Sequence, residues 1–353
     1  MDRTYIGRVL FAVAALLADS SACRGPATRG QSTTERVSYS PEFHVRSQAT
    51  SRRVFKQWRL RKLWQVPEVS ATALADLEAG PDGEIYALDR GTGCLARVDQ
   101  AGAQTLCAES AGPQHLRLAI AQFNVDDQSV LILGASNRLW KWIPGSAASQ
   151  VRMIKDLTRF VIDRDRVIYF PLPPPNDNSA YRWFDPTDGA SGIRNGSTPI
   201  LTHETQHQFA VLGKIVADRS RHVVYHVSDR AGLLVLLSDS GQDVELLLAR
   251  STIDNTPLPE LERRTVGEAI VTSMPYGQPV VAVGLAFDHG ALWVLTLAPT
   301  GPKTFQHVVD LYDGQTGDYR YSYMLPFKSH GMAARSGVIY FIADDNVQAW
   351  RSQ

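Results

Sequence analysis

The chain has 353 residues, of which 36 are lysine or arginine and 36 are aspartate or glutamate, so its formal net charge is zero. A balanced charge argues against nucleic-acid binding, for which a strongly basic surface is expected. Hydrophobic residues make up 44% of the sequence. This fraction is ordinary for a globular protein, and a chain of this length can bury a large core in one domain or in two.

Residues 1–22 have the pattern of a signal peptide. Arg3 and Arg8 supply a positive start, and residues 9–18 form the apolar run VLFAVAALLA. This run suits the core of a signal peptide and is too short to span a bilayer. We therefore expect the protein to be exported.

The predicted signal peptide ends next to a cysteine. Ala22 and Cys23 resemble the end of a bacterial lipobox, although Ser20 stands where lipoproteins usually carry leucine. The small residues also fit an ordinary signal-peptidase site. We expect lipidation of Cys23, and the alternative is simple cleavage that leaves a free thiol.

Residues 23–51 are polar and show no apolar periodicity, as in the stretch GPATRGQSTTE. This composition predicts a flexible tether. A folded domain on a polar tether behind a lipidated cysteine is the usual layout of a bacterial surface lipoprotein. The expected location is therefore the membrane surface, in the periplasm or on the outside of the cell.

Short β-branched and aromatic runs recur in the remainder of the chain, residues 52–353. Each run follows a turn with Asp, Gly or Asn and has another apolar run before that turn; a third strand follows most of them. The recurring runs are EIYALD (84–89), SVLILG (129–134), VIYFPL (167–172), VVYHVS (223–228), LWVLTL (292–297) and VIYFIA (338–343). The spacings are 45, 37, 56, 69 and 46 residues, and the two longest contain insertions. A unit of about 40 to 50 residues is the period of a four-stranded propeller blade.

These six repeats predict an all-β fold, a six-bladed β-propeller over residues 52–353. The sixth repeat ends after three strands, and the segment VFKQWRLRKLW (54–64) ahead of the first repeat is strand-like and unassigned. Placing this segment as the outer strand of the last blade closes the ring and removes an open sheet edge. Its basic side chains then form a solvated outer face or, alternatively, a patch towards anionic lipid headgroups.

The first repeat, GPDGEIYALDRGTGCLARVDQAG (80–102), resembles the repeat of NHL-type and related six-bladed propellers. In those families a turn with Pro-Asp-Gly precedes the pattern xIYxxD and a strand that ends in Asp-x-x-Gly. The fourth and fifth repeats match this pattern in part, the second and third have drifted, and the resemblance spans residues 58–350. The resemblance implies a fold. Because such propellers include protein-binding scaffolds, lactonases and lyases, it implies no single activity.

Two further cysteines, Cys94 and Cys107, flank the stretch LARVDQAGAQTL. This stretch predicts a β-hairpin that turns near Gln100 and Ala101, so that the two cysteines face each other across it. Export makes oxidation possible. We predict a Cys94–Cys107 disulfide, and the alternative is two small apolar residues that stay reduced.

The stretch from His203 to His207 reads HETQH, which matches the HExxH pattern of zinc peptidases. In that pattern two histidines one helical turn apart bind zinc, and the glutamate polarises a water molecule. Here no long apolar helix surrounds the motif, and Ala210 and Gly213 stand where the extended motif has Gly and His. We expect a polar loop between blades three and four that matches by coincidence; the alternative is a loop metal site.

Polar residues near the starts of the predicted inner strands are candidates for a site in the central channel. The resemblance to six-bladed lactonases and lyases implies carboxylates, Asn or His at such positions. The candidates here are Asp76, His115, Arg159 and His330, of which only Asp76 is a ligand type for a hard metal ion. They satisfy no family motif, so we expect them to line the channel together with water and assign no catalytic residue.

The sequence contains no nucleophile elbow, P-loop or dinucleotide-binding glycine motif. The predicted anchor, tether and repeats favour a non-enzymatic cell-envelope lipoprotein whose propeller binds a protein or a glycan. We expect a monomer that needs no cofactor and binds no nucleic acid. The alternative is an exported metal-dependent hydrolase, lactonase or lyase with a divalent metal in the channel; a third hypothesis is a purely structural surface component.

The blade repeat does not explain two segments of the sequence. Residues 251–278 are an insertion whose stretch PLPELERR suggests one helical turn, and we expect the propeller to fold without this insertion. Residues 318–324 read DYRYSYM. If they form an outer strand, Tyr319, Tyr321 and Tyr323 share one exposed face that could bind a partner.

Overall fold

The computed structural model describes most of the chain after residue 31. The described ranges are 32–48, 52–66, 74–80, 83–89, 93–99, 102–106, 120–126, 129–134, 137–143, 149–154, 156–171, 181–186, 192–196, 200–201, 210–266, 269–273, 280–301, 304–343 and 346–352. The predicted signal peptide and Cys23 lie outside these residues, so cleavage, lipidation and export stay predictions.

The described residues form antiparallel sheets joined by turns. The strands are β1 (Ser32–Arg36), β2 (Val45–Arg46), β3 (Leu60–Val66), β4 (Leu74–Ala79), β5 (Ile85–Asp89), β6 (Cys94–Asp99), β7 (Gly102–Leu106), β8 (Ile120–Val125), β9 (Val130–Gly134), β10 (Arg138–Trp142), β11 (Ser149–Met153), β12 (Leu157–Asp163), β13 (Arg166–Pro171), β14 (Arg182–Phe184), β15 (Arg194–Asn195), β16 (Gly213–Asp218), β17 (Val223–Ser228), β18 (Leu233–Asp239), β19 (Val244–Ser251), β20 (Glu260–Val266), β21 (Ala269–Ser273), β22 (Gly284–Asp288), β23 (Ala291–Gly301), β24 (Thr304–Asp313), β25 (Tyr319–Met324), β26 (Gly331–Arg335), β27 (Val338–Ala343) and β28 (Asn346–Ser352). No helix within this part of the chain is long and apolar enough to cross a membrane.

The blades are six sheets in chain order. They consist of β4–β7, β8–β11, β12–β15, β16–β19, β22–β25, and β26–β28 with β3. The first strands of neighbouring sheets contact each other in a closed cycle, from β4 through β8, β12, β16, β22 and β26 back to β4. The predicted six-bladed β-propeller is therefore confirmed.

The second strands of the blades are mainly apolar and buried. Every residue of β5, β9 and β27 is buried. Neighbouring blades cover both faces of these strands, so the apolar and polar residues do not alternate as they would in a half-exposed sheet. One apolar cluster fills each of the six interfaces between neighbouring blades.

Several hairpins between first and second strands turn through residues of left-handed backbone. The pairs Arg164–Asp165, His289–Gly290 and Ser336–Gly337 all have positive φ at both positions. Two consecutive left-handed residues define a type I′ turn, whose twist matches that of the strands it joins. These turns lie where the sequence patterns DRDR, FDHG and ARSG predict them.

The last blade is completed by a strand from the beginning of the chain. β3 pairs antiparallel with β28, from Leu60 opposite Ser352 to Val66 opposite Val347. This confirms the predicted closure, which leaves blade six without an open outer edge next to β28. The predicted closing segment began at Val54, whereas β3 begins six residues later, at Leu60.

Residues 32–48 pack onto the propeller, so the predicted flexible tether over residues 23–51 is wrong for them. β1 pairs antiparallel with β20, and β2 adds in parallel to β19, the outer strand of blade four. Phe43 lies in the apolar cluster between blades three and four and is only 3% exposed. Backbone hydrogen bonds along open strand edges and one buried aromatic ring thus order a segment whose overall composition is polar.

The ordered segment continues along the rim of the ring, and we call residues 32–48 and 52–59 the N-terminal strap. The Gln48 side-chain amide donates hydrogen bonds to the carbonyl oxygens of Ser251 and Gly317, at 2.8 and 3.0 Å. Ser251 ends blade four and Gly317 belongs to blade five. The strap therefore joins these two blades from outside.

A buried ion pair fastens the strap to blade five. Arg53 donates from Nε to Oδ1 of Asp310 at 2.9 Å and from Nη2 to Oδ2 at 3.0 Å. The side chains are 10% and 2% exposed. Two parallel hydrogen bonds between a guanidinium and a carboxylate fix both position and orientation.

The strap also covers the tyrosine side of β25, which the sequence predicts to be exposed. The Trp58 ring stacks on Tyr323 with 4.3 Å between ring centroids, and Lys56 Nζ lies 3.7 Å from the centroid of the Tyr321 ring. The hydroxyl of Tyr319 accepts a hydrogen bond from a backbone N–H of the strap. The prediction of an open partner surface here is therefore wrong, because the chain itself occupies it.

The insertion after blade four forms a β-hairpin. β20 pairs with β21, and β1 of the strap adds to the other side of β20 to give a three-stranded sheet. Leu261, within the stretch that suggests a helical turn, is fully buried in β20. The suggested helical turn is wrong because pairing with two strands decides the backbone conformation.

The predicted disulfide is only half described. Cys94 is the first residue of β6, is buried, and is disulfide-bonded. Cys107 lies outside the described residues, one position after the end of β7. The Cys94–Cys107 pairing therefore stays a prediction.

Candidate functional site

The central channel is lined by the first strand of each blade. These strands begin at one end of the channel, which we call the strand-start end. They run to their hairpin turns at the other end, which we call the turn end. Sites at the two ends differ in composition and are described in turn.

Three of the first strands carry a β-bulge near their start. The pairing with the second strand slips by one residue directly before Asp76, Gln122 and Arg159, in blades one, two and three. A bulge re-aims the side chain that follows it and is common next to functional sites. The repeated bulge thus gives three consecutive blades a polar residue at the same level of the channel.

Two cationic groups approach one carboxylate at the strand-start end. Arg159 Nη1 lies 3.9 Å and Lys214 Nζ lies 3.6 Å from Oδ2 of Asp76. Both distances exceed a hydrogen bond, so neither cation is fully engaged by this carboxylate. All three side chains are partly exposed to the channel, between 16% and 24%.

Asp229, which follows β17, adds a second carboxylate to this end. Its Oδ1 atom is buried and has no hydrogen-bond partner among the described residues. Burial raises the pKa of this carboxyl above its ordinary value, and the nearby Lys214 and Arg159 oppose that rise. A buried acceptor without a partner costs about 1–3 kcal/mol, so a donor supplied by water or a ligand is favoured here. We call Asp76, Arg159, Lys214 and Asp229 the strand-start cluster.

Of the other candidates, His330 lies at the same end and His115 lies outside the described residues. His330 immediately precedes β26 and is exposed, and its Nε2 lies 2.8 Å from the carbonyl oxygen of Leu74. This contact ties blade six to the beginning of blade one. The structure therefore brings together Asp76 and Arg159 directly and places His330 at the neighbouring seam.

Amide side chains of β8 join blades two and three along the channel. Gln122 donates from Nε2 to the carbonyl oxygen of Phe160 at 3.0 Å and accepts from its N–H at 3.1 Å. Asn124 accepts a hydrogen bond from the N–H of Ile162 at 2.9 Å. These amides replace strand-to-strand pairing between the two blades and hold the channel wall in register.

A cavity of about 550 Å³ opens at the turn end, and we call it the turn-end chamber. Its wall combines the ends of first strands and their turns in five blades. The lining residues are Leu77, Glu78, Ala79, Val161, Val216, Ala217, Asp218, Arg219, Ser220, Leu285, Ala286, Phe287, Asp288, His289, Ala333, Ala334, Arg335 and Ser336. The volume lies within the range of typical small-molecule sites.

Glu78 is the most strongly perturbed acid of the chamber wall. Its Oε1 accepts a hydrogen bond from Asn124 Nδ2 at 2.6 Å. Burial raises the pKa of Glu78 to about 8, although the positive charge of Arg219 opposes that shift. Glu78 is therefore mainly uncharged at neutral pH, and its carboxyl group can both donate and accept hydrogen bonds.

Metal binding was predicted, as an alternative, through His203, His207 and Asp76. The two histidines lie outside the described residues, so that site stays a prediction. Within the described ranges no three His, Cys, Asp or Glu side chains are grouped closely enough to hold a metal ion. Arg159 and Lys214 would also repel a cation bound to Asp76.

Lys214, Asp229 and Glu78 were missed by reasoning from the sequence. Lys214 is a single charge inside the apolar stretch LGKIVA, and Glu78 shares the stretch ADLEA with Asp76. A charge inside an apolar inner strand is the signal that could have identified them, because an inner strand has one edge towards the channel. Asp229 lies after a second strand, and no local pattern distinguishes it.

Comparison with known proteins supports the fold and no more. No protein-family model matches the chain, and no curated protein matches its sequence. A protein of unknown function from Bacteroides thetaiotaomicron has 10% identity and a TM-score of 0.52, over 92% of this chain and 77% of that one. Virginiamycin B lyase from Staphylococcus aureus has 12% identity and a TM-score of 0.47, over 84% of this chain and 99% of that one. Because these identities are so low, the chain is shown to share a propeller fold and not an activity.

Proposed function

We propose that the protein is an exported lipoprotein, anchored through Cys23, whose propeller is a non-enzymatic binding module of the cell envelope. The apolar run of residues 9–18 and the cysteine that follows support the anchor. The partly exposed charged side chains at the strand-start end of the channel support the binding role.

The observation that carries the binding role is the strand-start cluster. It contains two donors, Arg159 and Lys214, that lie beyond hydrogen-bond distance of Asp76. It also contains an acceptor, Oδ1 of Asp229, that has no hydrogen-bond partner among the described residues. Two cations and two carboxylates nearly cancel in charge, so the cluster does not select strongly for an ion of either sign. A hydroxyl group is both donor and acceptor and fits such a set. We therefore propose a hydroxyl-rich glycan as the partner.

A glycan array tests this proposal. The full chain, purified in mild detergent and labelled with a fluorophore, is applied to an array of bacterial envelope glycans. We expect binding to a subset of these glycans, and a loss of about tenfold or more in affinity for Lys214→Met and Asp76→Asn, because each removes a hydrogen bond to a charged group. Lys141→Met, which changes an exposed lysine of β10, is the matched control.

Two results would contradict the proposal. If the wild-type chain binds no glycan but crosslinks to a protein in native envelopes, the partner is a protein. One tightly bound divalent ion per chain, measured by elemental mass spectrometry and lost in His203→Ala or Asp76→Ala, would favour the metal-dependent hydrolase or lyase instead.

A further inference from the structure

The turn-end chamber has apolar side chains over part of its wall and polar or charged ones over the rest. Leu77, Val161, Leu285 and Phe287 line it together with small alanine side chains. Burial of an apolar surface is favourable by about 25 cal/mol per Å², so a ligand with an apolar body gains free energy here. The strand-start cluster at the other end of the channel has no comparable apolar wall among its four residues.

The acidic side chains of the chamber wall are already engaged. Asp218 accepts hydrogen bonds from Ser220 Oγ and Arg221 Nε, both at 2.6 Å. Asp288 accepts from the backbone N–H of Ser336 at 3.1 Å and of Gly337 at 2.7 Å. These carboxylates hold the hairpin turns in place; Asp218 pairs with the cation of Arg221, whereas Asp288 is bound by backbone N–H groups.

One cation of the wall is engaged by the chain itself. Arg219 donates from Nη2 to the carbonyl oxygen of Val125, and its Nη1 lies 3.8 Å from Oδ1 of Asp126. It therefore crosses from the turn of blade four to the end of β8 in blade two. This guanidinium is a fixed part of the wall.

Arg335 differs from the other charged residues of the chamber. It is the last residue of β26, lines the cavity and is partly buried. Its backbone pairs with Val338, whereas its side chain forms no hydrogen bond and no ion pair with any residue that the structure describes. A guanidinium presents five N–H donors in a planar fork that matches a carboxylate or a similar anion. Arg335 is thus a charged group with unused donors beside a cavity whose wall is partly apolar.

We propose that the turn-end chamber is a second ligand site, for a small amphiphilic anion whose acidic group pairs with Arg335. The apolar body of the ligand packs against Leu285 and Phe287. Glu78 is mainly uncharged at neutral pH and therefore does not repel the anion. This site lies at the opposite end of the channel from the strand-start cluster and does not depend on glycan binding there.

Fluorescence of 8-anilinonaphthalene-1-sulfonate tests the proposal, because this probe joins an apolar body to an anionic group. We expect saturable binding of one probe molecule to the full chain and at least tenfold weaker binding to Arg335→Gln, since charge-assisted hydrogen bonds to the anion are lost. Arg351→Gln, which changes an exposed arginine of β28 in the same blade, is the matched control and should bind as the wild type does. Circular dichroism and thermal unfolding establish that both variants are folded.

A second variant separates the chamber from other apolar surfaces. Ala334→Phe fills the cavity and keeps Arg335, and we expect it to abolish probe binding. Octanoate should displace the probe from the wild type, whereas octanol, which lacks the charge, should displace it far less. Equal probe affinities of Arg335→Gln and wild type, or no saturable wild-type binding up to about 1 mM, would overturn the proposal. Lys214→Met should leave probe binding unchanged, which keeps this result separate from the glycan test.

Discussion

Asp310 on the rim is buried and Glu78 in the channel is partly buried, and the chain stabilises these two acids in different ways. Burial raises the pKa of each. Asp310 receives two hydrogen bonds from Arg53 and one from Ser322 Oγ at 2.6 Å, so it remains compatible with a negative charge. Glu78 accepts a hydrogen bond from the neutral side-chain amide of Asn124 and stays mainly protonated.

The difference shows how a partner decides the role of a buried carboxyl group. A buried carboxylate that is paired with a guanidinium stabilises the contact between two segments, because removing either partner leaves the other charge unpaired in an apolar environment. A buried carboxyl with an amide partner is a neutral polar group that keeps donor capacity inside a cavity. Asp310, which holds the strap, is of the first kind, and Glu78 in the chamber wall is of the second kind.

The largest expected loss of stability comes from breaking the buried ion pair between Arg53 and Asp310. Arg53→Ala leaves Asp310 buried without its cation, and we expect a loss of about 3–5 kcal/mol in the free energy of unfolding, measured by urea denaturation. Arg320→Ala removes a more exposed partner, from Asp313 of the same blade, and should cost less than about 1 kcal/mol.

The double change Arg53→Met with Asp310→Leu refines this comparison. It removes both charges together, so most of the lost stability should return. If Arg53→Ala unfolds at the same urea concentration as the wild type, the strap is not held to blade five by this ion pair.

A pH-dependent effect, smaller per pH unit than that of Arg53→Ala, is expected at Glu78. A carboxyl whose folded pKa is about 8, against an ordinary 4.5, binds its proton more tightly in the folded state. Stability is therefore highest below about pH 4.5 with respect to this group and falls as pH rises towards 8, by up to about 1.4 kcal/mol per pH unit. Glu78→Gln keeps the acceptor for Asn124 and removes this fall.

The measurement is the difference in unfolding free energy between wild type and Glu78→Gln from pH 5 to pH 9. Arg219 and Asp76 are the charged groups that act on Glu78, the first lowering and the second raising its pKa, and both are unchanged in the variant. We expect Glu78→Gln to be the more stable protein at pH 9. A difference that does not change with pH would mean that Glu78 titrates normally.

The smallest effect is expected at the exposed end of the strap. Arg36 pairs with Glu260 at 3.2 Å, but the two side chains are 87% and 49% exposed. Arg36→Ala should change the unfolding free energy by less than about 0.5 kcal/mol, because water screens such a pair. A loss comparable with that of Arg53→Ala would show that exposure does not set the difference between the two ion pairs.

The fold was predictable because its signal is repeated. Each blade contributes a buried second strand and a polar turn, so a weak local pattern occurs six times in the sequence. The closure by an N-terminal strand, predicted within residues 54–64, followed from counting strands, since an unpaired outer edge is unfavourable. The order of residues 32–48 was not predictable in this way, because β1 and β2 pair with strands about 200 to 230 residues away in sequence and Phe43 packs in the cluster between the distant blades three and four.

The site was predictable only in part. Asp76 and Arg159 were identified from their positions at the starts of inner strands, and the structure brings them to one carboxylate–cation contact. Lys214 was missed although it completes that contact, since no motif marks a lysine on a strand of blade four. The state of Glu78 depends on burial and on Asn124, which are properties of the assembled channel and not of the stretch ADLEA.

If Cys23 carries the lipid, the strap limits how far the propeller extends from a membrane. The first residue of the strap that the structure describes is Ser32, nine residues along the chain from Cys23. A fully extended chain spans at most about 3.6 Å per residue, so the nine residues from Cys23 to Ser32 span at most about 32 Å. The whole polar segment to residue 51 would have allowed roughly three times that distance. With that anchor Ser32 lies within about 32 Å of the bilayer surface, and we expect ligands of the propeller to be found near the membrane.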